Sequence, residues 1–183
     1  MLKVNIFYRC LSFSVQRVCL FPDSYMGQRR GEMAECYYCE NAEKLNSLMI
    51  LIRTIGCADI YLFRDQTHKG KCIVVYNGGH KTEWYKISKE ERHIFIDVVS
   101  ITAEALADVF HPDKINYATY GDIVNHLHVH VVPKYKSGPD WGRPFCDQEE
   151  PERLSDKEYA ARVKAIGARI TEILSERNIE GME

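Results

Sequence analysis

The sequence has no uninterrupted apolar run of the roughly 18–20 residues that a membrane-spanning helix needs. It also lacks a basic excess. Its 24 lysines and arginines stand against 26 acids, a net charge of −2, which argues against broad nucleic-acid binding. No Pro/Gly/Ser-rich linker, internal repeat or low-complexity tract interrupts the patterning that runs from Glu40 to about Arg177. The basic start does not read as a good secretory signal peptide either. The apolar stretches near the start are broken by Arg9 and Arg17, and no small-residue cleavage site follows. Seven cysteines are an odd number, and without an export signal they fit a reducing, cytoplasmic setting better than a disulfide framework.

What is present is an ordinary globular composition, 45 % hydrophobic over 183 residues, enough for one domain with a sizeable core. Basic charge is concentrated at the start, in Lys3, Arg9, Arg17, Arg29 and Arg30, with Asp23 the one acid among them. Residues 1–33 read as a poorly ordered extension, a transit peptide being the alternative, and residues 34–183 as the domain.

Three segments have helical period. Leu45, Leu48, Ile52 and Ile55 recur at helical steps, and Gly56 closes the run. Ser88 and Glu91 form a capping-box pair, opening a helix that buries Ile94, Val98, Ile101 and Ala105. Ser155 and Glu158 repeat the device before Tyr159, Val163, Ile166 and Ile170. Between them lie β-rich runs at 59–63, 71–76, 114–120 and 126–132, and the turn Asn77-Gly78-Gly79. This order predicts an α+β fold with an antiparallel sheet and flanking helices.

The run His126-Leu127-His128-Val129-His130-Val131-Val132 carries the chemistry. Side chains alternate across a strand, so three imidazoles share one face and Leu127, Val129 and Val131 share the other. A solvated, histidine-rich face is the plain alternative. Crowded imidazoles that protonate would destabilise it. Cys36 and Cys39 form the one cysteine pair whose spacing suggests chemistry, with redox and zinc readings both open. Cys57 and Cys72 read as core, and His68, His93 and His111 as exposed.

Positions 126–132 resemble the signature of the histidine-triad (HIT) family, His-φ-His-φ-His-φ-φ with φ apolar. Cys36-Tyr37-Tyr38-Cys39 is similar to the N-terminal Cys-x-x-Cys of many bacterial members. The stretch Gly70–His80 resembles the family's second strand, and the run from Asn116 through Gly121 to Tyr135, then Trp141, resembles a bacterial branch. The resemblance covers about residues 34–177 and implies a HIT-like sheet of about five antiparallel strands. It implies attack by His128 on the α-phosphorus of a nucleoside phosphate ester, anhydride or phosphoramidate, through a covalent nucleotidyl-histidine. His130 would donate to the phosphate or the leaving group, and His126 would complete the triad. Asn116 would hold the site or bind phosphate. Gly121 and Asp122 occupy the phosphate-binding stretch, and Asp65 would reach the ribose hydroxyls or else be a surface turn acid.

One departure stands out. The best-known members carry Gly-Gln-Ser/Thr-Val before the triad, where this chain has Gly121-Asp122-Ile123-Val124-Asn125. Ile123 cannot donate a hydrogen bond, and Asp122 is an anion beside a phosphate site. Backbone amides near Gly121, Asn125 or Lys134 would have to compensate. The resemblance also implies a structural zinc held by Cys36, Cys39, His80 and His126. It implies a nucleotide as the small-molecule partner and a homodimer, contacting near the helix that starts at Ser88, with no nucleic-acid or membrane partner. A non-catalytic nucleotide- or zinc-binding protein on the same fold is the alternative.

Overall fold

The computed structural model describes residues 36–146 and 150–177. The expected extension over 1–33 lies outside them. A short helix, α1 (Ala42–Leu48), leads directly into strand β1 (Met49–Ile55). β2 (Ala58–Phe63) and β3 (Cys72–Tyr76) follow. A single turn of 3-10 helix at Trp84–Lys86 precedes α2 (Lys89–Phe110). β4 (Lys114–Ala118), β5 (His128–Lys134) and α3 (Asp156–Glu176) complete the domain. The five strands form one antiparallel sheet in the order β1-β2-β3-β5-β4.

The expected helix through Leu45, Leu48, Ile52 and Ile55 is corrected. Only its first half is helical, and residues from Met49 form the edge strand. Apolar steps of three and four continued by coincidence across a helix–strand joint. Ile50, Ile52, Thr54 and Ile55 are β-branched and suit a pleated strand. Gly56 is not a helix stop; it takes φ +51° in the tight turn that pairs Ile55 with Ala58. Both long helices start as expected. Ser88 and Ser155 each accept from the backbone N–H three residues on, and Glu91 and Glu158 bond back to the caps.

The sheet has two unlike faces. Leu127, Val129 and Val131 join Leu62, Val74 and the inner sides of α2 and α3 in the main core. On the other face Met49, Tyr61, Ile73 and Val75 form a smaller cluster, packed by Tyr37, Tyr38, Leu45 and Leu48. β5 therefore gives its odd-numbered residues to the core and its even-numbered ones to the second face. Cys36, Cys39, Cys57 and Cys72 are free thiols, whereas Cys146 is disulfide-bonded, unlike the reduced state expected of it. Among the described residues no helix is long and apolar enough to cross a membrane.

Candidate functional site: three imidazoles and a Cys2His2 cluster

The three imidazoles do gather on one face. The His128 and His130 ring centroids are 5.1 Å apart, and Tyr38 lies 5.2 Å from His126 and 5.4 Å from His128. His130 is flanked on its far side by Tyr120 and Phe145 at 5.6 and 5.8 Å.

Backbone carbonyls decide which ring nitrogen is free. Nδ1 of His128 is 2.6 Å from the His126 carbonyl oxygen. A carbonyl only accepts, so Nδ1 carries the proton and Nε2 keeps its lone pair. Burial, opposed by that hydrogen bond, lowers the His128 pKa and keeps the ring neutral. His130 is held well below the usual imidazole range by burial, then by His128 and Lys71. Its Nδ1 is buried and has no hydrogen-bond partner among the described residues. His128 as a residue is only 3 % exposed.

His126 is turned the other way round. Its Nε2 lies 2.7 Å from the Tyr76 carbonyl and donates to it, so Nδ1 is the free nitrogen. That nitrogen sits 3.4 Å from the sulfur of both Cys36 and Cys39, and His80 Nδ1 is 3.6 Å from Cys39. All four ligand atoms lie within 4.8 Å of one another. A tetrahedral ion with ordinary zinc–sulfur and zinc–nitrogen bonds would place such atoms about 3.5 Å apart. The Tyr76 carbonyl is the outer hydrogen-bond partner a metal-binding imidazole requires. Desolvation and the neighbouring Cys36 push the Cys39 thiol up to about 11, a penalty that a divalent cation reverses. The donor set thus fits a zinc ion.

Residues 58–137 match the sequence model of the HIT domain. The chain carries a HIT domain. Its fold is that of solved histidine-triad structures. A histidine triad protein from Bradyrhizobium japonicum is 20 % identical, with 70 % of this chain and 95 % of that one covered and a TM-score of 0.65. One from Sinorhizobium meliloti is 25 % identical over 71 % and 93 %, with a TM-score of 0.63. A zinc-bound histidine triad family protein from Mycobacterium smegmatis is 19 % identical over 79 % and 99 %, with a TM-score of 0.55. No curated protein sequence matches the chain significantly.

The remaining expected site residues of the HIT domain fall in three places. Asn116 lies on β4 opposite Val132 and lines a cleft of about 640 Å3 together with Lys134, Arg143 and Phe145. Gly121 and Asp122 are exposed in the loop between β4 and β5. Asp65 is buried, and its carboxylate accepts from the Thr67 backbone N–H and hydroxyl at 2.9 and 2.6 Å, closing a local turn.

Two expectations need correction. Lys134 is not a cation available to a phosphate, because its ammonium donates to the Asp140 and Arg143 carbonyls. His68 is not exposed: at 3 % exposure it sits 3.3 Å from the Asp140 carboxylate and edge-on to Phe145. Its partners come from a loop far along the chain, so local polarity could not reveal its burial. His93 and His111 are exposed as expected. Tyr38 and Phe145, to which sequence reasoning assigns no catalytic role, flank the triad. Their only sequence signals were position, Tyr38 inside the cysteine pair and Phe145 beside the Trp141 loop.

Proposed function

We propose that this HIT domain is a nucleotide hydrolase or nucleotidyltransferase acting at the α-phosphate of a dinucleoside polyphosphate or an adenosine phosphoramidate. The observation that carries the reading is the His126 carbonyl bound to Nδ1 of His128, which reserves Nε2 as an uncharged nucleophile. Nε2 forms a bond to the α-phosphorus as the leaving group departs with the bonding pair. His130 gives a hydrogen bond to that group or to the phosphate oxygens. Water or another acceptor then takes the nucleotidyl group and frees His128. Asn116 binds phosphate through its amide, backbone amides at Gly121 and Asp122 replace the missing hydroxyl contact, and Asp65 reaches the ribose if its local turn opens.

Cys36, Cys39, His80 and His126 would hold a structural zinc, which supplies a rigid cross-link between the N-terminal turn and the sheet. The domain would span residues 34–183 and work in the cytoplasm on a small-molecule nucleotide, without a nucleic-acid or membrane partner. A homodimer is supported by an apolar groove of about 280 Å3 between α2 and β4, where Ile96 and Tyr117 are 53 % and 55 % exposed.

The test is AMP release from both substrate classes by pure protein and its His128→Ala variant. The expected result is turnover on at least one class that the substitution abolishes. No turnover on either class overturns the enzymatic reading. Nucleotide binding without turnover would favour a non-catalytic nucleotide-binding protein, the reading to which the near-complete burial of His128 and the apolar Ile123 lend weight.

A further inference from the structure

The cleft of about 640 Å3 that Asn116 lines runs along β4, the outer strand of the sheet. Ala118 stands opposite His130, and Lys114 opposite Lys134, so these residues share the imidazole face. Two of the cleft's rings, Tyr120 and Phe145, are the ones that flank His130. The cleft thus begins where the triad ends, beyond His130 from His128. Asp65 follows β2, on the other side of β5 in the strand order.

The loop after β5 forms the far wall, and it is held in place. The Lys134 ammonium donates to the Asp140 and Arg143 carbonyls. The Arg143 N–H donates to the Asp140 carbonyl at 3.1 Å. The Asp140 carboxylate accepts from the Cys146 N–H at 3.2 Å and lies 3.3 Å from His68. Asp140 and Gly142 take left-handed backbone, φ 58° and 79°, so the chain reverses sharply around the lysine. Trp141 and Arg143 both line the cleft, and both are exposed.

The lining is chemically one-sided. Lys114 and Arg143 bring two cationic side chains that, among the described residues, have no hydrogen-bond or ion-pair partner. Among those residues no aspartate or glutamate lines the cleft, and nearby Asp113 is already engaged by Lys136. Trp141 and Tyr120 add exposed rings. Guanidinium and ammonium groups hold phosphate oxygens, and planar rings stack on nucleobases. An amine leaving group, neutral or cationic, would find no carboxylate to receive it. The volume falls within the range of about 300–1,000 Å3 usual for ligand sites.

We propose that this cleft binds the half of the substrate that departs, and that this half is a nucleoside polyphosphate. The inference rests on the enzymatic reading above and narrows it to dinucleoside polyphosphates. As Nε2 of His128 bonds to the α-phosphorus, the bridging P–O bond breaks and the departing nucleoside polyphosphate keeps the electron pair. Arg143 and Lys114 hold the charge that develops on it, and Trp141 stacks on its base.

The test compares kcat/KM for diadenosine tetraphosphate and for adenosine phosphoramidate, which share the adenylyl half and differ in what departs. Wild type should favour the dinucleoside substrate. Arg143→Gln and Trp141→Ala should each lower the ratio of the two kcat/KM values about tenfold, and Lys114→Gln should lower it less. Trp141→Phe, which keeps a ring, should recover most of the loss. All three positions are exposed, on a strand and on a loop, and circular dichroism checks each variant's fold. No turnover of either substrate overturns the enzymatic reading and this inference with it. A wild-type preference for the phosphoramidate overturns the inference alone. So does a ratio that stays level in Arg143→Gln and Trp141→Ala, whether both substrates slow together or neither does.

Discussion

The two faces of the sheet are built from the same strands and do opposite work. On the helix side, Leu127 just before β5, and Val129 and Val131 on it, enter a core shared with α2 and α3. On the other side, the same strand contributes His128, His130 and Lys134, held by carbonyls and rings rather than by helices. The first face is stabilised by apolar burial and tolerates no polarity. The second keeps three imidazoles uncharged by burial, and keeps the proton on a chosen nitrogen with one carbonyl for each of two rings. Stability and chemistry are thus separated by the two-residue period of a strand, and single substitutions should separate them too.

The largest effect should follow His128→Ala. On the proposed reading turnover should fall about a thousandfold or more, because a nucleophile has no substitute, while the unfolding midpoint changes little. A variant that unfolds, or one that still turns over, would break the division between faces. Leu127→Ala, one position away on the opposite face, should do the reverse. It empties a fully buried site and should cost about 2–5 kcal/mol in urea denaturation, with zinc stoichiometry retained.

Removal of zinc comes next. Purified protein should hold close to one zinc per chain, and Cys36→Ser should bring it below about 0.2, with a lower thermal midpoint. Zinc content that Cys36→Ser leaves unchanged would remove Cys36 from the site.

A smaller effect concerns pH. His68 and His130 both have folded pKa values lowered by burial. In the unfolded chain they titrate near 6.5, so below about that pH the unfolded state takes up protons that the folded state refuses. Stability should therefore be level above pH 7 and fall as the pH drops from about 6.5, and His130→Gln should flatten that slope. Urea midpoints between pH 7.5 and 5.0 would show it, and stability that rises on acidification would contradict it. The smallest effect is expected at a cap on the helix side. Ser155→Ala should cost about 1 kcal/mol and leave turnover and zinc content untouched.

Much of this arrangement was legible in the residues. Strand alternation placed the three imidazoles together, and the Ser88–Glu91 and Ser155–Glu158 pairs marked the starts of α2 and α3. What escaped was whatever depends on distant partners. β1 was hidden because Leu45 and Leu48 on α1 stand in helical step with Ile52 and Ile55 on the next element. The burial of His68 depends on Asp140 and Phe145, and the engagement of Lys134 depends on the carbonyls of the same loop. Tyr38 could be placed over the triad only once the turn between the cysteines was seen to fold back on His126.

The central claim is that Nε2 of His128 attacks phosphorus. Acid-quenching the protein during turnover and analysing its peptides by mass spectrometry tests this directly. The account predicts a nucleoside-monophosphate adduct on His128 that is absent from His128→Ala. Turnover with no adduct on the peptide, or with the adduct on His126 or His130, would contradict it.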